Sequence, residues 1–288
     1  MQFNNLNLND FFSIDSISPF LKKYTGSIVV IKYGGAAMKN EFLQSNVIQN
    51  ICYLHSLGLK VVLVHGGGPF INNWLNKLDI VPKFEKGIRI TDRDTMDIVE
   101  MVLAGKINKK LVSLFNQYNI SSIGLSGKDA NLLIASPLFI DSNNLVGKID
   151  IVNNHILQLL LDHNYIPVIS SIATSVNNET YNVNADNVAS AIALSLKAES
   201  LILLTDTLGV MKDIHNPSTL IKNLNLFTIN KLKNQSIISG GMIPKVDCCI
   251  NALKGGVNSA HIISGNLENA ILYELLTSNR IGSRITME

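Results

Sequence analysis

Val61-Val62-Leu63-Val64-His65-Gly66-Gly67-Gly68-Pro69 is the stretch that decides the fold. Four consecutive aliphatic residues without alternation read as a strand buried on both faces, the pattern of a parallel sheet covered by helices. Three glycines follow, and such a run carries a large ordering penalty for a mere connection. Pro69 suits the first turn of a helix, where its missing N–H would be unpaired in any case. Strand, glycine turn and helix N-terminus in that order receive an anion, either a carboxylate or a phosphoryl group. The run matches neither G-x-G-x-x-G nor GxxxxGK[ST], so the common nucleotide turns do not account for it.

The alternation continues outward. Residues 29–33 read as a strand, 40–57 as a helix, 61–64 as a strand and 69–78 as a helix. A more polar, hairpin-like region covers 80–92, followed by a helical stretch at 93–118 and a strand at 120–125. Then come a helix at 153–163, a strand at 166–170, a helix at 185–198 and a strand at 201–204. A helix at 244–254, a strand at 260–263 and a helix at 268–277 complete the pattern. Strands separated by helices of this length are βαβ units around a mostly parallel sheet, an α/β fold. The polar turn Asn177-Asn178-Glu179-Thr180 divides the chain into a first lobe, 26–180, and a second, 181–288. Residues 1–25 stand apart. Their apolar positions, Phe11, Phe12, Ile14, Ile17, Phe20 and Leu21, suit either a helix packed on its own domain or an arm docked on a second subunit.

Composition narrows the class. With 288 residues, 47% of them apolar, the chain can bury a large core and is not disordered. Its 24 basic and 22 acidic side chains give a net charge of +2, no long-range reason to bind nucleic acid. No apolar run approaches the ~18 residues of a membrane helix. Cys52, Cys248 and Cys249 fit free thiols in a reducing compartment better than a disulfide framework. The first 25 residues lack the apolar core of a secretory signal and the Arg-rich bias of a transit peptide, so import is not expected. The abundance of Asn, Ile, Leu and Lys suits an AT-rich genome. No zinc-ligand spacing and no G-x-S-x-G elbow occurs.

Other candidates cluster at strand ends. Lys32-Tyr33-Gly34-Gly35 follows the first strand, and its lysine can place a mobile cation beside phosphate oxygens. Gly124-Leu125-Ser126-Gly127-Lys128-Asp129 and Gly240-Gly241-Met242-Ile243-Pro244-Lys245 are further glycine clusters, the latter placing Lys245 near a helix start. Asp206 follows a buried strand, where ligands bind in such sheets, and Asp186 stands near a helix start. Asp129 and Asp150 carry less weight. Arg89, one of few arginines, is a carboxylate clamp or else a surface ion pair. His65 reads more readily as a hydrogen-bonded structural residue than as a catalyst.

Seven blocks in order carry a resemblance. They are Lys32-Tyr33-Gly34-Gly35-Ala36-Ala37-Met38, His65-Gly66-Gly67-Gly68-Pro69, Lys86-Gly87-Ile88-Arg89-Ile90-Thr91-Asp92, Gly124 to Asp129, Tyr181-Asn182-Val183-Asn184-Ala185-Asp186, Leu203-Leu204-Thr205-Asp206 and Gly241-Met242-Ile243-Pro244-Lys245. Over residues 26–288 the chain resembles the N-acetylglutamate kinases, the arginine-pathway branch of the amino acid kinase family. The resemblance implies an open three-layer αβα sandwich of the carbamate kinase-like kind, with acetylglutamate mainly in the first lobe and ATP mainly in the second. It implies transfer of the γ-phosphoryl of ATP to the γ-carboxylate of N-acetyl-L-glutamate. Lys32 and Lys245 would flank the transferring group, with Asp186 holding both lysines. Gly35, Gly67 and Gly68 would offer backbone donors, and Arg89 and Asn182 would fix the substrate's α-carboxylate and acetamido end. Thr205, Asp206, Gly209, Val210, Ile237 and Ser239 would line the nucleotide. Mg²⁺ would be held chiefly by ATP phosphates and water.

The chain departs from that pattern in places. Phe70 stands where the family has glutamate, so altered packing rather than lost catalysis is expected. Ser264-Gly265 replaces Asp-Gly, Asn269 replaces histidine, and Ser278-Asn279-Arg280-Ile281-Gly282-Ser283 replaces Asp-Glu-Gly-Ile-Gly-Thr. These changes fall where arginine-inhibited relatives bind arginine, against an N-terminal helix that links dimers into hexamers. Residues 13–24 resemble that helix, and Glu274 and Gly282 remain as arginine contacts. A homodimer, a hexamer built as a trimer of dimers, arginine inhibition and binding of the PII signalling protein are what the resemblance brings. A plastid-encoded protein of the chloroplast stroma, or a protein of the bacterial cytoplasm, is expected. The rivals are a related kinase of another carboxylate, carbamate or nucleotide, a non-catalytic metabolite sensor, and, more weakly, a Rossmann dehydrogenase.

Overall fold

The computed structural model describes residues 14–85, 87–140 and 143–288; Phe11, Phe12 and Lys86, named above, lie outside the described residues. The elements begin with α1 (Ile14–Tyr24), β1 (Ile28–Tyr33), α2 (Glu41–Ser56), β2 (Lys60–His65) and α3 (Gly68–Lys77). The hairpin β3 (Phe84–Glu85) and β4 (Ile88–Arg89) leads to α4 (Arg93–Glu100), a π-helical segment (Met101–Ile107) and α5 (Asn108–Gln117). Next are β5 (Ser122–Leu125), β6 (Leu133–Pro137), β7 (Gly147–Val152), α6 (His155–Asp162), β8 (Ile166–Ser170), β9 (Ile172–Thr174) and β10 (Thr180–Asn182). The chain continues through α7 (Ala185–Ser195), β11 (Ser200–Thr205), β12 (Asn223–Leu224), α8 (Leu226–Asn234) and α9 (Met242–Lys254), then β13 (Ser259–Ser264), α10 (Ala270–Leu276) and β14 (Ser283–Ile285).

Eight strands form one sheet in the order β12-β14-β13-β11-β1-β2-β8-β5, with every neighbouring pair parallel except β13 and β14. The aliphatic residues 29–31 and 61–64 are fully buried, which requires cover on both faces of the sheet. On the one hand α7 and α9 pack against each other and across β1, β11 and β13; on the other, α5, α2, α10 and α1 form a connected group over β8, β2 and β13. The result is the expected α/β sandwich with a mostly parallel sheet.

Three features were not legible in the sequence. Residues 133–137 and 147–152 pair antiparallel and join the β9–β10 hairpin in a separate four-stranded sheet. The long helix at 93–118 is wound as a π-helix in its middle. Short strands β12 and β14 extend the sheet beyond β13. Asn177 and Asn178 turn the β9–β10 hairpin, while β1 is hydrogen-bonded to both β2 and β11, so the large sheet runs on without a break between residues of the two halves.

The asparagine bias has a local use. Asn40, Asn184 and Asn225 accept backbone N–H bonds as N-caps of α2, α7 and α8, a role that stabilises a helix by about 1 kcal/mol relative to alanine. Asn119, Asn131, Asn164, Asn178 and Asn269 take positive φ, where asparagine is tolerated better than other side chains.

The parallel register sets the functional edge. Tyr33 lies opposite His65, His65 opposite Ser170, and Thr205 opposite Ser264, so the glycine turns leave the sheet side by side. This is the carboxyl end of the strands, where ligands bind in open α/β sheets.

Candidate active site

A cavity of about 340 Å³ opens at that edge, lined by Lys32, the glycines 66–68, Arg89, Asn182, Asp186 and Lys245 among others. Lys32 comes from β1, Asp186 from the first turn of α7, and Lys245 from the first turn of α9. Their side chains meet. Lys245 Nζ donates to Asp186 Oδ2 at 2.7 Å, and Lys32 Nζ pairs with Oδ1 at 2.9 Å. Burial alone would raise the Asp186 carboxyl, but the two ammonium groups outweigh it and hold its pKa below the usual carboxylate range. The stabilisation from these pairs is therefore complete above the ordinary carboxylate pKa and is lost only as pH falls through the lowered value. Two cations share one anion, leaving one positive charge in excess.

Gly35 has φ of +78°, a conformation that disfavours a side chain, and a Cβ there would lie 2.5 Å from Asp206 Oδ1. At Gly67 the reason for glycine is space: a Cβ would lie 2.3 Å from Ile107 Cδ1 and 2.6 Å from Leu103 Cδ2. In the first turn of α3 Pro69 has no N–H and Phe70 and Ile71 donate to Gly67 O, which leaves the N–H of Gly68, a residue of the cavity wall, without an intrahelical partner.

Arg89 is buried, stacked 4.8 Å from the Phe84 ring centroid, and its Nη2 donates to Asn72 Oδ1 and to Gly68 O at 3.4 Å. Its Nη1 is buried with no hydrogen-bond partner among the described residues. Burial lowers the guanidinium pKa from its ordinary value, yet no carboxylate pairs with it among the described residues. An orphan donor in the wall of a cavity is what an incoming carboxylate would satisfy. Asn182, in the same wall, donates from Nδ2 to Thr91 Oγ1 at 3.1 Å.

A second cavity, of about 360 Å³, is lined by Gly209, Val210, Ile237 and Ser239 as well as Thr207, Lys212 and Met242. Thr205 and Asp206 are not in its wall; Asp206 lies instead beside Gly35. The α9 N-terminus separates the two cavities, giving Met242 to the second and Lys245 to the first. Thr207, inside the stretch Thr205 to Val210 expected to line the nucleotide, has Oγ1 buried without a partner among the described residues, whereas Asn72 was not foreseen. One asparagine among many carries no sequence signal.

Several expected residues are bonded within the protein away from both cavities. Asp129 accepts from Ser126 N and Oγ within its own turn, and Asp150 takes a hydrogen bond from Ser136. Glu274 and Gly282 do come together, yet inside the protein: Glu274 is 2% exposed, its Oε1 meets His261 Nδ1 at 2.8 Å, and its Oε2 accepts from Ile281 and Gly282 N–H. Phe70 packs partly buried against the core, and Asn269 bonds Asn46 and Asn50. The three thiols are free and buried, which pushes Cys52 up to about 11, Cys248 to about 12 and Cys249 upward as well.

His65 is wholly buried, and burial lowers its pKa to about 4 against an opposing bond to Gly66. Unfolding restores the ordinary value of 6.5, so the unfolded chain binds the extra proton between those limits. Stability from the neutral ring is complete above pH 6.5 and falls by roughly 3 kcal/mol as pH drops to about 4. Denaturant titrations at several pH values should show this slope, with His261 adding in the same direction. His65→Gln is expected to flatten it; an unchanged slope would assign it to other groups.

The strand-edge glycines, the two lysines on one carboxylate and the adjoining cavity define a small-molecule phosphotransferase. Residues 27–264 match the amino acid kinase family, and the chain belongs to that family. It is 55% identical over 284 residues to the acetylglutamate kinase of Gracilaria tenuistipitata var. liui, covering 97% of this chain and 100% of that one. The acetylglutamate kinase of Trichodesmium erythraeum (strain IMS101) is 48% identical over 267 residues, 93% of this chain and 91% of the relative. The carbamate kinase structure from Giardia shares the fold at a TM-score of 0.66 and 18% identity, over 91% of this chain and 99% of that one.

Proposed function

We infer that this chain is an ATP-dependent acetylglutamate kinase, transferring the γ-phosphoryl group to the γ-carboxylate of N-acetyl-L-glutamate in arginine biosynthesis. The observation that carries the reading is the pair of lysines, from β1 and α9, meeting on Asp186 in the wall of the first cavity. The names of the most similar relatives support the same substrate and reaction.

A carboxylate is already a nucleophile at neutral pH, so the reaction requires no general base. One oxygen of the γ-carboxylate attacks the γ-phosphorus, the bond from that phosphorus to the β,γ-bridging oxygen breaks, and ADP leaves with the electron pair. The products are an acyl phosphate and ADP. The obstacle is the approach of two anions, which Lys32, Lys245 and the N–H groups of Gly35, Gly67 and Gly68 offset. Asp186, with its lowered pKa, serves as the fixed point between the lysines and takes no proton. Arg89 and Asn182 receive the α-carboxylate and acetamido end. Gly209, Val210, Ile237 and Ser239 hold the nucleotide, with Thr205 and Asp206 at the strand end nearby. Among the described residues no group of three His, Cys, Asp or Glu could hold a metal ion. The nucleotide is taken as its Mg²⁺ complex, the ion travelling on the phosphates as part of the substrate.

The lobes at 26–180 and 181–288 divide acetylglutamate from ATP in this reading, with 1–25 as an oligomerisation arm. Packing of α1 on α10, the helix of Glu274, supports placing arginine regulation there, in a homodimer or a trimer-of-dimers hexamer, with PII as a further regulator. Red algal and cyanobacterial relatives support a chloroplast stroma or a bacterial cytoplasm. Purified protein with Mg-ATP and acetylglutamate is expected to yield an acyl phosphate that hydroxylamine traps. Turnover of a different acid, with none of acetylglutamate, would overturn the substrate assignment. Arginine titration with mass measurement in the same assay tests regulation and assembly.

A further inference from the structure

Between α4 and α5 the chain is wound as a π-helix over Met101–Ile107. Such winding is rare and frequently lies at functional sites. Its effect here is geometric. In an α-helix, at 100° per residue, Asn108 would point about 140° away from Leu103. The wider π-turn, with bonds from i to i+5, brings it back to within about 50°. Leu103, Ile107 and Asn108 therefore share one face, and that face meets the end of β2.

Leu103 and Ile107 press on Gly67, where their methyl groups occupy the space of a Cβ. Asn108 is 1% exposed. Its Nδ2 lies 2.8 Å from Val168 O, 3.3 Å from Leu125 O and 3.1 Å from His65 Nε2, while its Oδ1 accepts from Lys109 Nζ at 3.3 Å. With Nδ2 as donor, His65 Nε2 is the acceptor and the ring proton sits on Nδ1, which donates to Gly66 O at 3.1 Å. The N–H of Gly66 in turn donates to Tyr33 O at 3.1 Å. A continuous buried chain thus runs from the π-turn to the first glycine of the anion-receiving turn.

We propose that Asn108, placed by the π-turn, is a positioning residue: acting through His65 on Gly66, with Leu103 and Ile107 bearing on Gly67, it sets the direction of the Gly67 and Gly68 N–H groups. This rests on the reading that the first cavity receives the acceptor carboxylate and the phosphoryl group in transfer. The residue touches no substrate. Its influence is on the geometry of donors that do.

Steady-state kinetics of Asn108→Leu and of the milder Ile107→Val test the proposal, together with ¹⁵N spectra of the His65 ring. The expected result is a roughly 10–100-fold fall in kcat/KM for acetylglutamate in Asn108→Leu, and a smaller fall in Ile107→Val, with KM for ATP unchanged. Wild-type His65 should be neutral and protonated at Nδ1. Equal acetylglutamate kinetics in a folded Asn108→Leu protein would overturn the proposal. Should Asn108→Leu fail to fold, unchanged kinetics in Ile107→Val would do so. A wild-type ring protonated at Nε2 would also do so, because Asn108 could not then donate to it. Loss of all acetylglutamate turnover in the wild type would instead strike the substrate assignment, and the ring spectrum would still judge the Asn108–His65 link.

Discussion

Lys245→Ala is expected to lower kcat by roughly 10²–10³-fold while changing KM for ATP far less. The ammonium group lies 2.7 Å from Asp186 and contributes to the first cavity, whereas the second cavity is built from other residues. Its charge matters most when negative charge spreads over the transferring group, so its removal acts on the transition state more than on the bound nucleotide. Asp186 would keep Lys32 as a partner at 2.9 Å, so the fold should survive. Lys245→Arg should rescue poorly, because a planar fork cannot occupy the place of a compact ammonium. Kinetics with each substrate varied, alongside thermal unfolding, make the measurement. Turnover equal to wild type in a folded Lys245→Ala protein would remove this lysine from the mechanism.

Arg89→Lys is expected to raise KM for acetylglutamate by roughly 10²-fold, with KM for ATP little changed. The guanidinium performs two tasks: Nη2 is anchored by Asn72 and Gly68, while Nη1 stays buried and unpartnered in the cavity wall. A lysine ammonium cannot hold the anchor, keep the stacking on Phe84 and still present a second donor. A large rise in KM for ATP instead, with acetylglutamate unaffected, would show that Arg89 faces a different ligand.

The major strands were readable because a strand covered on both faces must be apolar throughout, as 29–31 and 61–64 are. Residues 147–152 escaped notice because Lys148 and Asp150 interrupt the apolar side chains, and 133–137 because its short apolar run ends at once in Ser136-Pro137. The π-turn escaped because nothing in Met101–Ile107 distinguishes it from an ordinary helix; its winding follows from what it packs on. Lys32, Asp186 and Lys245 each carried a local signal beside glycine or a helix start. Their meeting on one carboxylate could not be read from spacing, since the parallel sheet brings together residues more than 150 positions apart in the chain, as register Lys32↔Leu203 illustrates. Asn72 and Asn108 were lost among many asparagines, several of them caps and turn residues.

The two lysines on one carboxylate have a consequence for departure as well as arrival. With both lysines on Asp186 and Arg89 unpaired by any carboxylate among the described residues, the cavity wall carries net positive charge, and a surface of one sign draws in anions from a distance. Both products of the reaction are anions too. The attraction that gathers the reactants therefore also resists their escape, and a third lysine would quicken the chemistry only to slow the emptying of the site. Added salt, which shortens the reach of such fields to about 10 Å at 0.1 M, would loosen the hold on arriving and leaving molecules alike. The positive charge of this site is a compromise between gripping and letting go.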